Sequence, residues 1–167
     1  YNLIKINLPF DDYYTQGSTP VGFLEKNNDK VFLVTGNGVF FTIEKKDIIN
    51  KIPRIELLKT NFHEYITNSN FYSNNGAHSI KDILIKNDEI LVSYTSEKFN
   101  DCYNLEIIAA KINFEFLEFN KSFEFEECSS DTKTNPHMGG GRMVTYLEDN
   151  ILLSVGSYGL YEQPQNI

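Results

Sequence analysis

No tryptophan occurs among the 167 residues, and there are only two cysteines, two methionines and five prolines. The large apolar side chains left to fill a core are mainly thirteen phenylalanines and ten tyrosines, rings that suit strand faces. Fifteen Lys and Arg stand against 23 Asp and Glu, for a net charge of −8, and no basic cluster interrupts the acidic background. A nucleic-acid partner requires a basic stripe that displaces counterions from phosphate, so this composition argues against that class. No apolar run approaches the roughly 18 residues of a membrane-spanning helix. The opening YNLIKINLPF has neither an initiator methionine nor a signal-peptide pattern, and reads as a processed protein or a piece of a longer chain. What remains is ordinary for a soluble globular domain: 41% hydrophobic and 23% charged residues in a length sufficient for one real core.

Cys102 and Cys128 fit no CxxC metal or redox spacing, and two thiols alone rarely hold a structural zinc. Each sits in a polar stretch at the edge of an apolar run. Two readings stay open: a disulfide joining two loops, which implies an oxidising compartment, or a pair of unpaired thiols.

Three segments read alike: DKVFLVTGNG from Asp29, DEILVSYTSE from Asp88 and DNILLSVGSY from Asp149. Asp29 and Asp88 are 59 residues apart, Asp88 and Asp149 61. Each segment follows another apolar stretch (VGFLE, IKDILI and GRMVTYL), so the recurring unit is a pair of short strands around a polar turn. Within VFLVTGNGVFFTIE, Asn37-Gly38 lies between two runs rich in β-branched and aromatic residues, a strong hairpin signal because both residues tolerate positive φ. Further on, Phe114, Phe116, Phe123 and Phe125 alternate with Glu or Asn. Period two predicts the rings on a buried face, with Glu115, Glu124 and Glu126 toward water. The stretch from 49 to 75 breaks the pattern and reads as an irregular connector, with His63 a surface side chain.

Small antiparallel sheets recurring near every sixty residues predict an all-β chain of β-propeller type, with repeats at about 1–48, 76–128 and 136–167 in a single domain. Blades have four strands and propellers typically close with four to eight of them, so this length corresponds to about half a propeller.

The stretch NPHMGGGRMV, from Asn135 to Val144, sets a lone histidine, three consecutive glycines and an arginine before an apolar strand. The glycines make a tight turn, or they let a ligand approach the backbone beside His137. They form no phosphate loop, since no Gly-Lys-Ser/Thr and no helix signal follows. Arg142, heading the strand, reads as a salt bridge between units or as a ligand clamp. His78 precedes a strand at the same relative place one repeat earlier. Gln163 and Gln165 follow the third repeat. Asp82 is the carboxylate that sits at an inner-strand start, where a channel metal would need several.

From Ser79 onward the chain resembles the soluble PQQ-dependent sugar dehydrogenases of the glucose/sorbosone type, a six-bladed propeller fold shared by the hedgehog-interacting protein. The resemblance runs through SIKDILIKNDEILVSYTSE, NLEIIAAKIN with LEFNKSFEFEE, and HMGGGRMVTYLEDNILLSVGSYG. It implies that His137 is the catalytic base that takes a proton from a sugar hydroxyl while hydride passes to the quinone, as an imidazole titrating near neutrality can. It makes His78 and Arg142 candidates for cofactor contact, and it implies PQQ and calcium as cofactors. The calcium ligands and the residues that grip the quinone belong to later blades, so the remainder of the propeller would be needed. The chain departs from the family in three places. It has one residue more between His137 and Arg142, Gly156-Ser157 where Gly-Asp is common, and Ala77 or His78 where a glutamine meets the quinone.

Two function classes follow. One is a periplasmic or extracellular oxidoreductase acting on a sugar or related alcohol. The other is a non-catalytic propeller that binds a protein or glycan through its end loops.

Overall fold

The computed structural model describes residues 5, 22–52, 54–66, 80–99, 102–126, 128, 135–148 and 150–159. Strands β1 (Gly22–Asn27), β2 (Lys30–Thr35), β3 (Phe40–Glu44) and β4 (Glu56–Thr60) pair in sequence order, each antiparallel to the next. The β1–β2 turn places Asn28 at φ 47°, and the Asn37-Gly38 turn closes β2 onto β3 with Gly38 at φ 84°. There Gly38 N donates to Thr35 O at 2.9 Å and Thr35 N to Val39 O at 3.0 Å. The expected hairpin forms with Gly38 alone taking left-handed backbone, which a glycine does at little steric cost.

The segment 49–75 is not simply an irregular excursion. Helix α1 (Lys45–Ile49) leads into it, β4 completes the first sheet as its fourth strand, and helix α2 (His63–Ile66) follows; residues 67–75 lie outside the described residues. The strand escaped notice because Leu58 alone in it is buried, paired with Phe40, too short a pattern to show period two.

The second sheet repeats the plan with β5 (Ile80–Lys86), β6 (Glu89–Phe99), β7 (Cys102–Lys111) and β9 (Asn120–Glu124), all antiparallel. Its first turn, Asn87-Asp88, has both residues at positive φ (51° and 59°), the geometry that matches strand twist in a two-residue hairpin. Between β7 and β9 the two-residue β8 (Phe116–Leu117) crosses to pair parallel with β4 of the first sheet. The third unit is a hairpin of β10 (Gly140–Tyr146) and β11 (Asn150–Val155). The three similar segments are therefore the second strands β2, β6 and β11, each preceded by its hairpin partner.

The phenylalanine alternation corrects an expectation. Phe114, Phe116 and Phe123 are 45%, 41% and 43% exposed, while Leu117 and Phe119 are buried instead. The chain turns at 112–115 rather than continuing as a strand, which shifts the inward register, and β9 is exposed along its whole length. Phe114 lies on Phe32 with ring centroids 5.9 Å apart and the Lys30 ammonium 4.6 Å from its centroid; Phe123 and Phe125 meet edge to face. Glu115, Glu124 and Glu126 do face solvent.

Cys102 and Cys128 form a disulfide, with Cα atoms 5.4 Å apart, joining the start of β7 to the segment after β9.

The units stack face to face in chain order. Phe32, Val34, Phe40 and Leu58 of the first sheet meet Ile83, Ile90, Val92, Tyr94 and Ile108 of the second. The opposite face of the second sheet, through Leu91 and Ile107 with Leu84 and Ala109, meets Met143, Ile151 and Leu153 of the hairpin. Strand β1 packs beside β5, and β5 beside β10. Among the described residues the fold is all-β apart from two short helices and a 3₁₀ turn, and its sheets are antiparallel except for the β4–β8 pair.

Candidate functional site

The loop ahead of β10 is held by its own backbone. Asn135 accepts the His137 amide on its side chain at 3.0 Å, capping a 3₁₀ turn over Pro136–Met138, and its carbonyl accepts Met138 N at 2.9 Å. Asn135 N donates to Tyr158 O at 2.6 Å, pinning the loop to the exit of β11. The turn leaves the His137 side chain exposed.

The glycines answer the question that the sequence raised. Gly140 and Gly141 sit at φ 78° and 106°, backbone that side chains disfavour. The register shifts between Gly140 and Met143, so β10 opens on a bulge. A Cβ on Gly139 would come within 2.9 Å of the Tyr158 ring, and one on Gly140 within 2.6 Å of Gly156 N. A Cβ on Gly141 would collide with the Lys81 side chain, and one on Gly156 with the Met138 carbonyl. The space beside this backbone belongs to the chain itself.

Two polar side chains of the second sheet hold β10. Asp82 on β5 is buried and accepts Met143 N at 2.7 Å, while Arg142 Nε lies 3.6 Å from the same oxygen. Ser93 on β6 donates to Gly141 O at 2.5 Å. The buried carboxylate accepts a backbone donor at hydrogen-bond length; the guanidinium side chain is largely exposed and adds a weaker, solvent-screened attraction. Arg142 thus bridges two units.

Lys81, next to Asp82, packs its stem against Gly141 and donates from Nζ to His137 O at 3.3 Å. Burial pushes its ammonium down to about 8. Burial likewise pushes the Tyr158 phenol up to about 12. His137, Lys81, Asp82 and Arg142 therefore meet where β5 and β10 begin. His78, Ala77, Gln163 and Gln165 lie outside the described residues. His63 is exposed on α2, in a different unit from His137.

A second buried polar cluster was not foreseen. Glu106 on β7 accepts Tyr94 Oη at 2.6 Å and Ser96 Oγ at 3.0 Å, with Lys121 Nζ 3.6 Å away. Burial, and then the bond to Glu106, raises the Tyr94 phenol above the usual tyrosine range. Tyr94 also packs edge to face on Phe62 and Tyr65, so the network helps join the second sheet to α2. Nothing in the linear pattern announced it beyond Glu106 standing in an apolar run. At the other end of the second sheet a cleft of about 530 Å³ is lined by Glu89, Lys111, Asn113, Phe116, Glu118 and Lys121.

The loop offers no open glycine surface to a flat group such as the quinone implied by the resemblance. The glycine surface that a flat cofactor would need is covered by Tyr158, Gly156 and Lys81, and Arg142 faces Asp82. Among the described residues, no three His, Cys, Asp or Glu side chains converge as a metal-ligand set. Among them, too, no helix is long and apolar enough to cross a membrane. No family model, no curated protein and no solved structure matches this chain.

Proposed function

We propose that the chain is part of a β-propeller and serves as a non-catalytic scaffold that binds a protein or glycan through the loops at the His137 end. The radial reading is supported by the stacking of three antiparallel units in chain order with their first strands side by side. Lys81 lies against Gly141, Asp82 bonds Met143 and Lys86 reaches Asn150 O, so the neighbours across β5 and β10 are about one repeat apart in sequence. Successive sheets placed in this way are what radial repetition requires. The Cys102–Cys128 bridge supports a periplasmic or extracellular location.

The observation that carries the binding reading is the internal packing of Gly139 to Gly141. Those glycines serve the fold, which leaves His137 as an exposed loop side chain with no cofactor surface beside it. The experiment is to supply the full protein with PQQ, calcium and a panel of sugars, and to follow reduction of an electron-accepting dye. In parallel, a glycan panel is probed with the native protein and with His137→Ala and Arg142→Ala. No sugar-dependent reduction is expected, together with glycan binding that the two variants weaken. Dye reduction that disappears in His137→Ala would overturn the scaffold reading in favour of a dehydrogenase. Absence of glycan binding would direct the search to protein ligands.

A further inference from the structure

The cleft at the end of the second sheet, about 530 Å³, falls within the roughly 300–1,000 Å³ of small-molecule sites. Its floor follows from register. Glu89 opens β6 opposite Lys111 at the end of β7, and Ala109 lies opposite Asn120 of β9. These four share one face of the sheet, since residues two apart on a strand and their cross-strand partners point the same way. The alanine in their midst leaves room that a longer side chain would fill. On β9 the pairing passes from Phe123 to Lys121, so Ser122 bulges out of the ladder and lines the cleft. The far wall is the chain that crosses in β8 and returns as β9. Leu117 and Phe119 are buried there, which leaves Phe116 and Glu118 on the cleft side. This wall is locked to the first unit. Phe119 N donates to Asn61 Oδ1 at 2.7 Å, and Phe119 O accepts Tyr65 Oη at 2.8 Å. Walls set in advance in this way lower the ordering cost of binding.

The lining selects a class of ligand. Glu89 and Glu118 stand with Lys111 and Lys121, so the walls carry no net charge. Lys121 is already engaged, 2.7 Å from Glu124 and 3.6 Å from Glu106. Among the described residues, the side chains of Glu89, Lys111 and Glu118 have no hydrogen bond or ion pair. A carboxylate accepts and an ammonium donates, so these three offer both kinds of hydrogen bond without favouring a charged ligand. Phe116 adds an aromatic ring that is 41% exposed. We infer that the cleft binds a neutral saccharide. Sugar hydroxyls both donate and accept, and the C–H face of a sugar ring lies well on the negative face of an aromatic ring. A phosphate-bearing ligand would meet two carboxylates, and a wholly apolar one would bury charges without partners. The cleft is separate from the His137 loop and depends neither on that loop nor on the propeller reading.

The test is a saturation-transfer NMR titration of the full protein with glucose, galactose, mannose, N-acetylglucosamine, maltose and cellobiose, and with glucosamine and glucuronic acid as charged counterparts. Whichever sugar binds is then titrated into Phe116→Ala, Phe116→Tyr, Lys111→Ala and His137→Ala. At least one neutral sugar is expected to saturate the protein with Kd of about 1 mM or below. Phe116→Ala should weaken it on the order of tenfold and Phe116→Tyr should keep it, because the ring face is what the sugar rests on. Lys111→Ala should weaken it as well, His137→Ala should leave it unchanged, and added salt should have little effect. Failure of every neutral sugar to saturate the protein overturns the inference. So does binding lost in His137→Ala but intact in Phe116→Ala and Lys111→Ala, which places the sugar at the loop end and leaves the loop reading standing. Salt-sensitive preference for glucosamine or glucuronic acid overturns the neutral class. Phe116 and Lys111 are exposed, native-like circular dichroism confirms that the variants fold, and Lys111→Ala carries the test if Phe116→Ala does not.

Discussion

Replacing Gly141 by alanine puts the packing of the glycine loop to a direct test. The backbone there has φ 106°, where a non-glycine residue is strained by about 1–3 kcal/mol. The new methyl group would also run into Cβ and Cγ of Lys81. Those atoms are the root of the side chain, fixed to β5, so relief requires strand movement, and overpacking of this kind costs about 1–3 kcal/mol. The two contributions together predict a loss of about 2–6 kcal/mol. At roughly 2–4 °C per kcal/mol for a domain of this size, Tm should fall on the order of 10 °C. Thermal and urea unfolding followed by circular dichroism measures the change. Lys81→Gly in the same chain removes the clash but not the backbone strain, so the double variant should recover part of the Gly141→Ala loss measured against Lys81→Gly alone. A Gly141→Ala protein within about 0.5 kcal/mol of native, the range of an ordinary surface change, would refute the argument and reopen the glycines as an approach route for a ligand.

Asp82→Ala leaves Met143 N without its buried acceptor and should cost about 1.5–3 kcal/mol, while Arg142→Ala, at an exposed side chain, should cost under about 1 kcal/mol. Urea unfolding that ranks the two the other way would place the anchor on the arginine. Reducing the Cys102–Cys128 bridge, or replacing both residues by serine, releases a loop spanning 26 residues and should cost about 3.5 kcal/mol by loop entropy. An unchanged urea midpoint would count against the bridge. Lys81 ionises at about 8 in the folded chain against an ordinary value of 10.5, so between those values the unfolded state binds more protons and stability rises with pH. Above about 10 the buried phenols of Tyr94 and Tyr158, which stay protonated in the fold, reverse the slope. Stability measured from pH 7 to 10 should therefore climb, and the climb should vanish in Lys81→Met; a flat native profile would contradict it.

The hairpins were legible in the sequence because turn chemistry and strand pattern coincide in them: Asn87-Asp88 and Asn37-Gly38 stand between runs that cannot be helices of useful length. Strand β4 was not, because only Leu58 turns inward. The rings of Phe114 and Phe116 misled because alternation reports a face only while the chain remains a strand, and at 112–115 it turns. For the site, the glycine loop announced itself but its partners did not. Lys81, Asp82 and Ser93 reach it from one repeat earlier, and only the offset of about sixty residues links them to Gly141 and Met143. Glu106 was invisible for a different reason. A buried carboxylate is recognised by its partners, and Tyr94, Ser96 and Lys121 come from strands on both sides of β7.

The layered order has a consequence for how the molecule comes apart. Among the described residues, the second sheet is gripped on both faces, whereas the β10–β11 hairpin is gripped on one, through Met143, Ile151 and Leu153. In a stack where each layer touches chiefly its neighbours, stability behaves as a row of nearest-neighbour couplings rather than as a single sum. The end layer then opens and recloses while the middle stays shut. Amides of β10 and β11 should trade hydrogen for deuterium well ahead of those in β6 and β7, and whatever caps the hairpin would slow them into step with the rest.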